Sequence, residues 1–182
     1  MENMMQKCNK YGGWVVFTLM IGAVLAVIPF QQAVTFEARK SGELLAYFLL
    51  RDTDKTFQIE YTHSIHQSEV IETYQVENSG VIRQIELEYE DTSIGMPSES
   101  EGGGDFEMKD GKYYIRDMKR DFSWIDISVG QVNANHRLLI QNKTIPLSSF
   151  SAPGSVVRVK KQKLALWQLW KGVNLLGRST KV

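Results

Sequence analysis

Four side chains able to move protons or hold a metal ion lie within twelve residues: His63, His66, Glu69 and Glu72, with Ser64 beside the first. Such a set could bind a divalent cation, run acid–base chemistry or activate a serine. Spacing decides among these. A metal-binding helix carries two histidines four residues apart on one face. Here the histidines are three apart, in a stretch that alternates apolar and polar like a strand running into a loop. Ser64 has no G-x-S-x-G elbow around it, and adjacent strand residues point to opposite faces. The residues are therefore read as holding no metal and no cofactor and as carrying no enzymatic activity. A hydrolase using Ser64 and His66 is kept as a third alternative.

The elements that must position this cluster read as strands. Period-two alternation predicts strands over 44–50, 56–63, 70–77, 81–90, 112–118, 122–129, 137–141 and 155–160. Turn signals stand at 52–54, 78–80, 110–111 and 152–154. Many short strands with no helix between them indicate an all-β domain, an antiparallel sandwich or barrel. The acidic irregular stretch over 92–110 lacks the spacing of a calcium loop.

Parity then assigns faces. Phe57, Ile59, Tyr61 and His63 share one side; Val70, Glu72, Tyr74 and Val76 share the apolar side of the next strand. On the third strand that side is Val81, Arg83, Ile85, Leu87 and Tyr89. If the three strands form a meander, a six-residue connection sets Tyr61 opposite Glu72, and a shift of one pair sets His63 opposite Glu72. The expectation is an inward polar network of His63, Glu72 and Arg83, capped by Tyr61. A charge turned inward costs free energy unless it is paired. The network is thus either a satisfied pair that fixes register or a contact face. In the second case it could sense a small carboxylate through His63 and Arg83.

Charge and hydropathy add location. Residues 12–30 are nineteen in a row without a charge, after Lys7 and Lys10. At about 1.5 Å per residue a helix of this length reaches roughly across the bilayer hydrocarbon, and the flanking lysines favour an inside N-terminus. A cleaved signal peptide is the rival reading. Cys8, the single cysteine, precedes this run, so the part beyond it has neither a disulfide nor a thiolate site. Net charge is zero, yet nine Lys or Arg and no acid follow Asp126. Residues 161–176 repeat Leu and Trp at near-helical spacing beside Lys161, Lys163 and Lys171. Trp167 and Trp170 on such a helix suit a membrane surface, packing on the sheet, or docking of a partner. No phosphate-binding glycine motif or basic aromatic array points to nucleic acid.

The motifs resemble a known bacterial family, domain of unknown function 1850. YTHSIHQSEVIETY at 61–74 matches its Y-x-H-S-[VI] segment and the following V-x-E-x-[FY]. SIGMP at 93–97 matches its glycine–proline loop, with Ser93 in place of the first glycine. The resemblance spans roughly residues 40–160. It implies that Tyr61, His63, Ser64, Glu72, Gly95 and Pro97 are motif residues. It also implies an accessory role beside a TRAP transporter of the TAXI type, in contact with its membrane subunit or its solute-binding protein. It implies no catalytic activity. The resulting expectation is a single-pass membrane protein with four parts. These are a cytoplasmic N-terminus (1–11), an anchor (12–30), an extracytoplasmic β domain (31–160) and a basic amphipathic C-terminal segment (161–182).

Overall fold

The alternation folds as pleated strands. The computed structural model describes residues 2–51, 55–63, 67–90, 104–130 and 135–177, with side chains from residue 13 onward except Leu25. Helix α1 (Glu2–Val27) leads into β1 (Gln31–Ala38), β2 (Leu44–Leu49), β3 (Thr56–Thr62), β4 (Glu69–Val76) and β5 (Ile82–Tyr89). Then come β6 (Asp105–Lys109), β7 (Lys112–Phe122), β8 (Ile125–Ser128), β9 (Arg137–Ile140), β10 (Lys143–Pro146) and β11 (Val156–Leu164). Helix α2 (Leu166–Lys171) and β12 (Val173–Asn174) follow. One sheet runs β12-β2-β1-β11-β8 and the other β10-β9-β3-β4-β5-β7-β6. The pairs are antiparallel except β12 with β2.

The two sheets face each other as a sandwich. Val34, Phe36 and Phe48 from one meet Phe57, Ile59, Tyr74 and Leu138 from the other in one core. Phe48 and Phe57 meet edge to face at 5.8 Å, and Phe57 stacks on Tyr74 at 5.4 Å. Burying each such side chain is worth about 1.5–3 kcal/mol, so these aromatics fix which face of each strand turns inward. A second cluster of Val70, Leu87, Tyr89, Ile115 and Met118 extends the seven-stranded sheet.

Several elements differ from the expectation: β6 forms within the stretch read as irregular, and β7 runs on through Phe122 where a break was expected. The predicted amphipathic helix over 161–176 is shorter. Lys161 and Lys163 belong to β11, where they pair with Val34 and Gln32 of β1, and only Leu166–Lys171 is helical. Backbone pairing along β1 wins over the helical periodicity of the side chains. Strand β1 also escaped the alternation rule because both its faces are covered. Ala33 through Glu37 are all buried, one face by the core and the other by Tyr47, Leu164 and Leu169. The Tyr47 hydroxyl donates to the Leu169 carbonyl at 2.8 Å, which ties α2 to the sheet.

Helix α1 forms over the apolar run. Among the described residues no helix is long and apolar enough to cross a membrane. The apolar side chains of α1 are nevertheless exposed, Trp14, Phe17, Leu19 and Val24 among them, as is Phe30 just after it. α1 touches α2, and the Phe30 N–H donates to the Leu164 carbonyl at 3.1 Å.

Candidate functional site

The expected meander exists, with a register shifted by one pair. β3 and β4 match Ile59 to Glu72 and Tyr61 to Val70. The ladder continues past the strands: the His63 N–H donates to the Ser68 carbonyl at 2.8 Å and the Gln67 N–H to the His63 carbonyl at 3.0 Å. The connection is therefore residues 64–67, shorter by two than the six-residue loop expected. Glu72 and Tyr61 are diagonal neighbours, as expected. His63 lies four residues beyond the partner of Glu72, about 13 Å along the strand. It is not part of the network that was predicted around it.

Arg83 is displaced for a different reason. β4 pairs Thr73 with Glu86 but Tyr74 with Gln84, so Ile85 is an extra residue, a β-bulge. On the other side β7 places Asp117, Met118 and Lys119 against it, since Arg116 pairs Glu86 and Arg120 pairs Gln84. Asp117 takes a left-handed backbone there, φ 57°. A bulge inverts the parity beyond it. Leu87 and Tyr89 face inward as expected, while Arg83 faces outward and Gln84 takes the inner position. Arg83 grips Asp121 with two hydrogen bonds, 2.6 and 2.9 Å, and meets Glu77 at 3.3 Å.

The inward place expected for His63 and Arg83 is held by other residues. Glu72 accepts a hydrogen bond from the Tyr74 hydroxyl at 2.7 Å and another from the Tyr61 hydroxyl. Tyr61 stacks on His136 with ring centroids 5.1 Å apart. The extension of β7 through Phe122 brings Arg120 near Glu72, its guanidinium over the Phe122 ring at 5.4 Å. Together with Ile59, Gln84, Phe122, Ile125, Ile127 and Ser128 these side chains line an open cavity of about 290 Å³ between the seven-stranded sheet and edge strand β8.

Electrostatics mark this corner as unusual. Burial holds the Glu72 carboxyl above the ordinary carboxylate range, against the opposing pull of the Tyr74 hydroxyl, Arg120 and the Tyr61 hydroxyl. Burial beside that carboxylate, and the hydrogen bond to it, push both tyrosine hydroxyls well up. Burial lowers the His136 pKa, favouring the neutral ring, and its Nδ1 is buried with no hydrogen-bond partner among the described residues. Asp126, at the rim, is already engaged: Arg158 holds it with two bonds of 2.8 Å and Arg39 lies at 3.2 Å. These guanidinium groups keep its carboxyl below the usual range. The cavity thus offers one half-buried carboxylate, one cationic side chain, a neutral imidazole, and walls that mix apolar side chains with Gln84 and Ser128.

A larger hollow, about 490 Å³, lies at the root of α1 between Gln31, Arg51, Lys55 and Lys161. Its lysines are occupied by a turn. Lys55 Nζ donates to Asn78 Oδ1 at 2.9 Å, and Lys161 Nζ to the Glu77 and Asn78 carbonyls at 2.9 and 3.1 Å. Lys161 therefore braces the β4–β5 turn and does not present its charge on a helix. Trp167 and Trp170 do project from α2, half exposed and almost fully exposed, and Lys171 is exposed beside them. Lys163 is exposed on β11.

A family model described as a domain of unknown function (DUF1850) matches residues 57–147, half of the chain of 182 residues. The chain belongs to the DUF1850 family. No curated protein and no solved structure matches it. The DUF1850 match takes in Tyr61, Glu72, Tyr74, Arg120 and His136, so the whole polar set of the cavity lies inside the family's segment. Ser64 and His66, the residues of the hydrolase alternative, and Gly95 and Pro97, the glycine–proline loop, lie outside the described residues. Sequence reasoning missed Arg120, His136 and the hydroxyl of Tyr74. Tyr74 had a usable signal, because it shares the face of Glu72 two residues on. Arg120 sits in a run of charged residues that reads as a solvated surface, and His136 precedes its strand with nothing to mark its direction.

Proposed function

We propose that this protein is a membrane-anchored, extracytoplasmic binding module whose cavity at Glu72 takes a small polar ligand. In this reading it serves as an accessory to a solute transporter of the TRAP (TAXI) type. The observation that carries the binding reading is the half-buried Glu72 carboxylate, held by two tyrosine hydroxyls at the floor of an open cavity. A carboxylate used only to fix register needs no adjoining space, whereas here about 290 Å³ adjoins it. Thermal shift of the full chain in detergent, against amino acids, carboxylates, amines and sugars at millimolar concentration, tests this. At least one class should raise the melting temperature of the wild type and leave Glu72→Gln unmoved. No shift with any class would end the binding reading.

The anchor reading is supported by a different observation. A contiguous apolar surface on α1, continued by Ile28 and Phe30, stands beside exposed Leu166, Trp167 and Trp170 of α2. Apolar patches of that size are covered by lipid or by another protein, and tryptophan and lysine at the root of the helix suit the interface. In this arrangement residues 1–11 stay in the cytoplasm and the β domain lies outside. Membrane fractionation tests it: the chain should resist extraction by alkaline carbonate, and its appearance in the soluble fraction would overturn the anchor. The transporter association rests on the family resemblance. Its test is co-purification with the membrane subunit or the solute-binding protein.

A further inference from the structure

The charges around the cavity narrow what can occupy it. A ligand bearing only a carboxylate would meet Glu72 as a like charge on the floor. A ligand bearing only an ammonium group would leave the Arg120 guanidinium opposing it. A divalent cation would find a single available carboxylate, because Asp126 is committed to Arg158 and Arg39. Hard cations collect several oxygen ligands, so that occupant fits poorly.

Two opposite charges on one small molecule resolve both conflicts. Glu72 accepts hydrogen bonds from Tyr61 and Tyr74, and a carboxylate has about four lone-pair sites, so acceptor capacity remains for an ammonium group. The rings of Tyr61 and Tyr74 line the same cavity, each with one face already stacked, on His136 and on Phe57. Arg120 makes no ion pair with another described residue. Its side chain lies over Phe122 and is drawn toward Glu72, which leaves its planar fork for a carboxylate, the group it matches best. The remaining lining is Ile59, Phe122, Ile125 and Ile127, whose apolar surface suits a hydrocarbon body, beside the polar Gln84 and Ser128. Neutral His136, whose buried Nδ1 has no partner among the described residues, adds one further polar group on the Tyr61 side.

We propose that the cavity binds a small α-amino acid with an apolar side chain, its ammonium group on Glu72 and its carboxylate on Arg120. The assignment rests on the binding reading of this cavity and specifies the ligand class. Titration calorimetry of the full chain in detergent tests it with three matched probes: leucine, 4-methylpentanoate (the carboxylate alone) and 3-methylbutylamine (the ammonium alone). Leucine should bind at least ten-fold more tightly than either single-charge analogue. Arg120→Gln should erase its advantage over the amine, and Glu72→Gln its advantage over the carboxylate, each variant being checked for an unchanged fold by circular dichroism. If 4-methylpentanoate or 3-methylbutylamine binds as well as leucine, the zwitterion assignment falls while the cavity remains a binding site. If none of the three binds but another class shifts the melting temperature, the ligand class is again wrong and the binding reading stands. If nothing in either experiment binds, both fall together.

Discussion

Glu72 and Asp121 are carboxylates on neighbouring parts of one sheet, and they are held in opposite ways. Asp121 sits on the outer face in water with Arg83 in a two-pronged grip, and that guanidinium lowers its pKa. Glu72 sits on the inner face with two tyrosine hydroxyls and a more distant Arg120, and burial raises its pKa. The better-looking ion pair is the weaker device. Exposed pairs gain little because water screens them and side-chain entropy opposes them, whereas a buried group that loses a partner bears the full desolvation penalty. Geometry alone does not rank polar contacts; the medium does.

The largest effect expected is on the buried side. Tyr74→Ala removes an aromatic ring stacked on Phe57 and in edge contact with Phe122, together with a donor to Glu72. Chemical denaturation should show a loss of about 3–5 kcal/mol, the range for deleting a large core side chain. Tyr74→Phe keeps the ring and removes only the hydroxyl, and should cost about 1–3 kcal/mol. If the two substitutions cost the same, the hydrogen bond and not the ring carries Tyr74.

Glu72→Ala against Glu69→Ala comes next. Glu72→Ala removes the acceptor of the buried Tyr74 hydroxyl and of the Tyr61 hydroxyl and should cost about 1–2 kcal/mol. Glu69 is 42% exposed and reaches Arg137 at 3.3 Å, while Glu60 also pairs with that arginine. Its removal should stay within about 0.5 kcal/mol. Equal losses would mean that the inner and outer faces of β4 are energetically alike.

These faces were legible in the sequence because parity needs only alternation, and β3 and β4 keep it without interruption through Phe57, Ile59, Tyr61 and Val70, Glu72, Tyr74. The diagonal contact of Tyr61 with Glu72 could be read for the same reason. Register could not, because it depends on how far pairing continues into the 64–67 connection, and the His63–Ser68 bond settles that. The bulge was hidden for a different reason. Ile85 continues the alternation of β5 on paper, and the extra residue shows only when Gln84 and Glu86 find partners in other strands. That one residue sends Arg83 out and, with the extended β7, brings Arg120 in. The lysine-rich end of β11 read as the start of an amphipathic helix because the Leu and Trp spacing beyond it is near-helical, while its partner, β1, supplies the apolar residues.

Titration gives a smaller effect with a definite sign. Glu72 has a folded pKa above its unfolded value, so the stability it lends is present below the unfolded pKa and is lost as pH rises through the folded one. Asp121 and Asp126 are depressed; the stability they lend is present above their unfolded pKa values and is lost as pH falls through the folded ones. Glu72→Gln removes only the first contribution. The stability of the wild type relative to this variant should therefore fall as pH rises from the ordinary carboxylate range toward neutrality, as read by urea midpoints across that range. A difference that grows instead would mean that the hydroxyls and Arg120 outweigh burial at Glu72.

The smallest effect belongs to Arg83. Arg83→Ala removes both bonds to Asp121 and the contact with Glu77, yet these groups are partly exposed to solvent, and the lost attraction is screened within about 10 Å at ordinary salt. The substitution should shift the urea midpoint less than Tyr74→Phe, and the shift should shrink further when salt is raised. Tyr74→Phe, whose hydrogen bond is shielded from ions, should keep its cost at both salt concentrations. A salt-independent loss at Arg83 would place that arginine in a drier environment than the outer face of the sheet, and the contrast between the two carboxylates would then rest on donor chemistry and not on water.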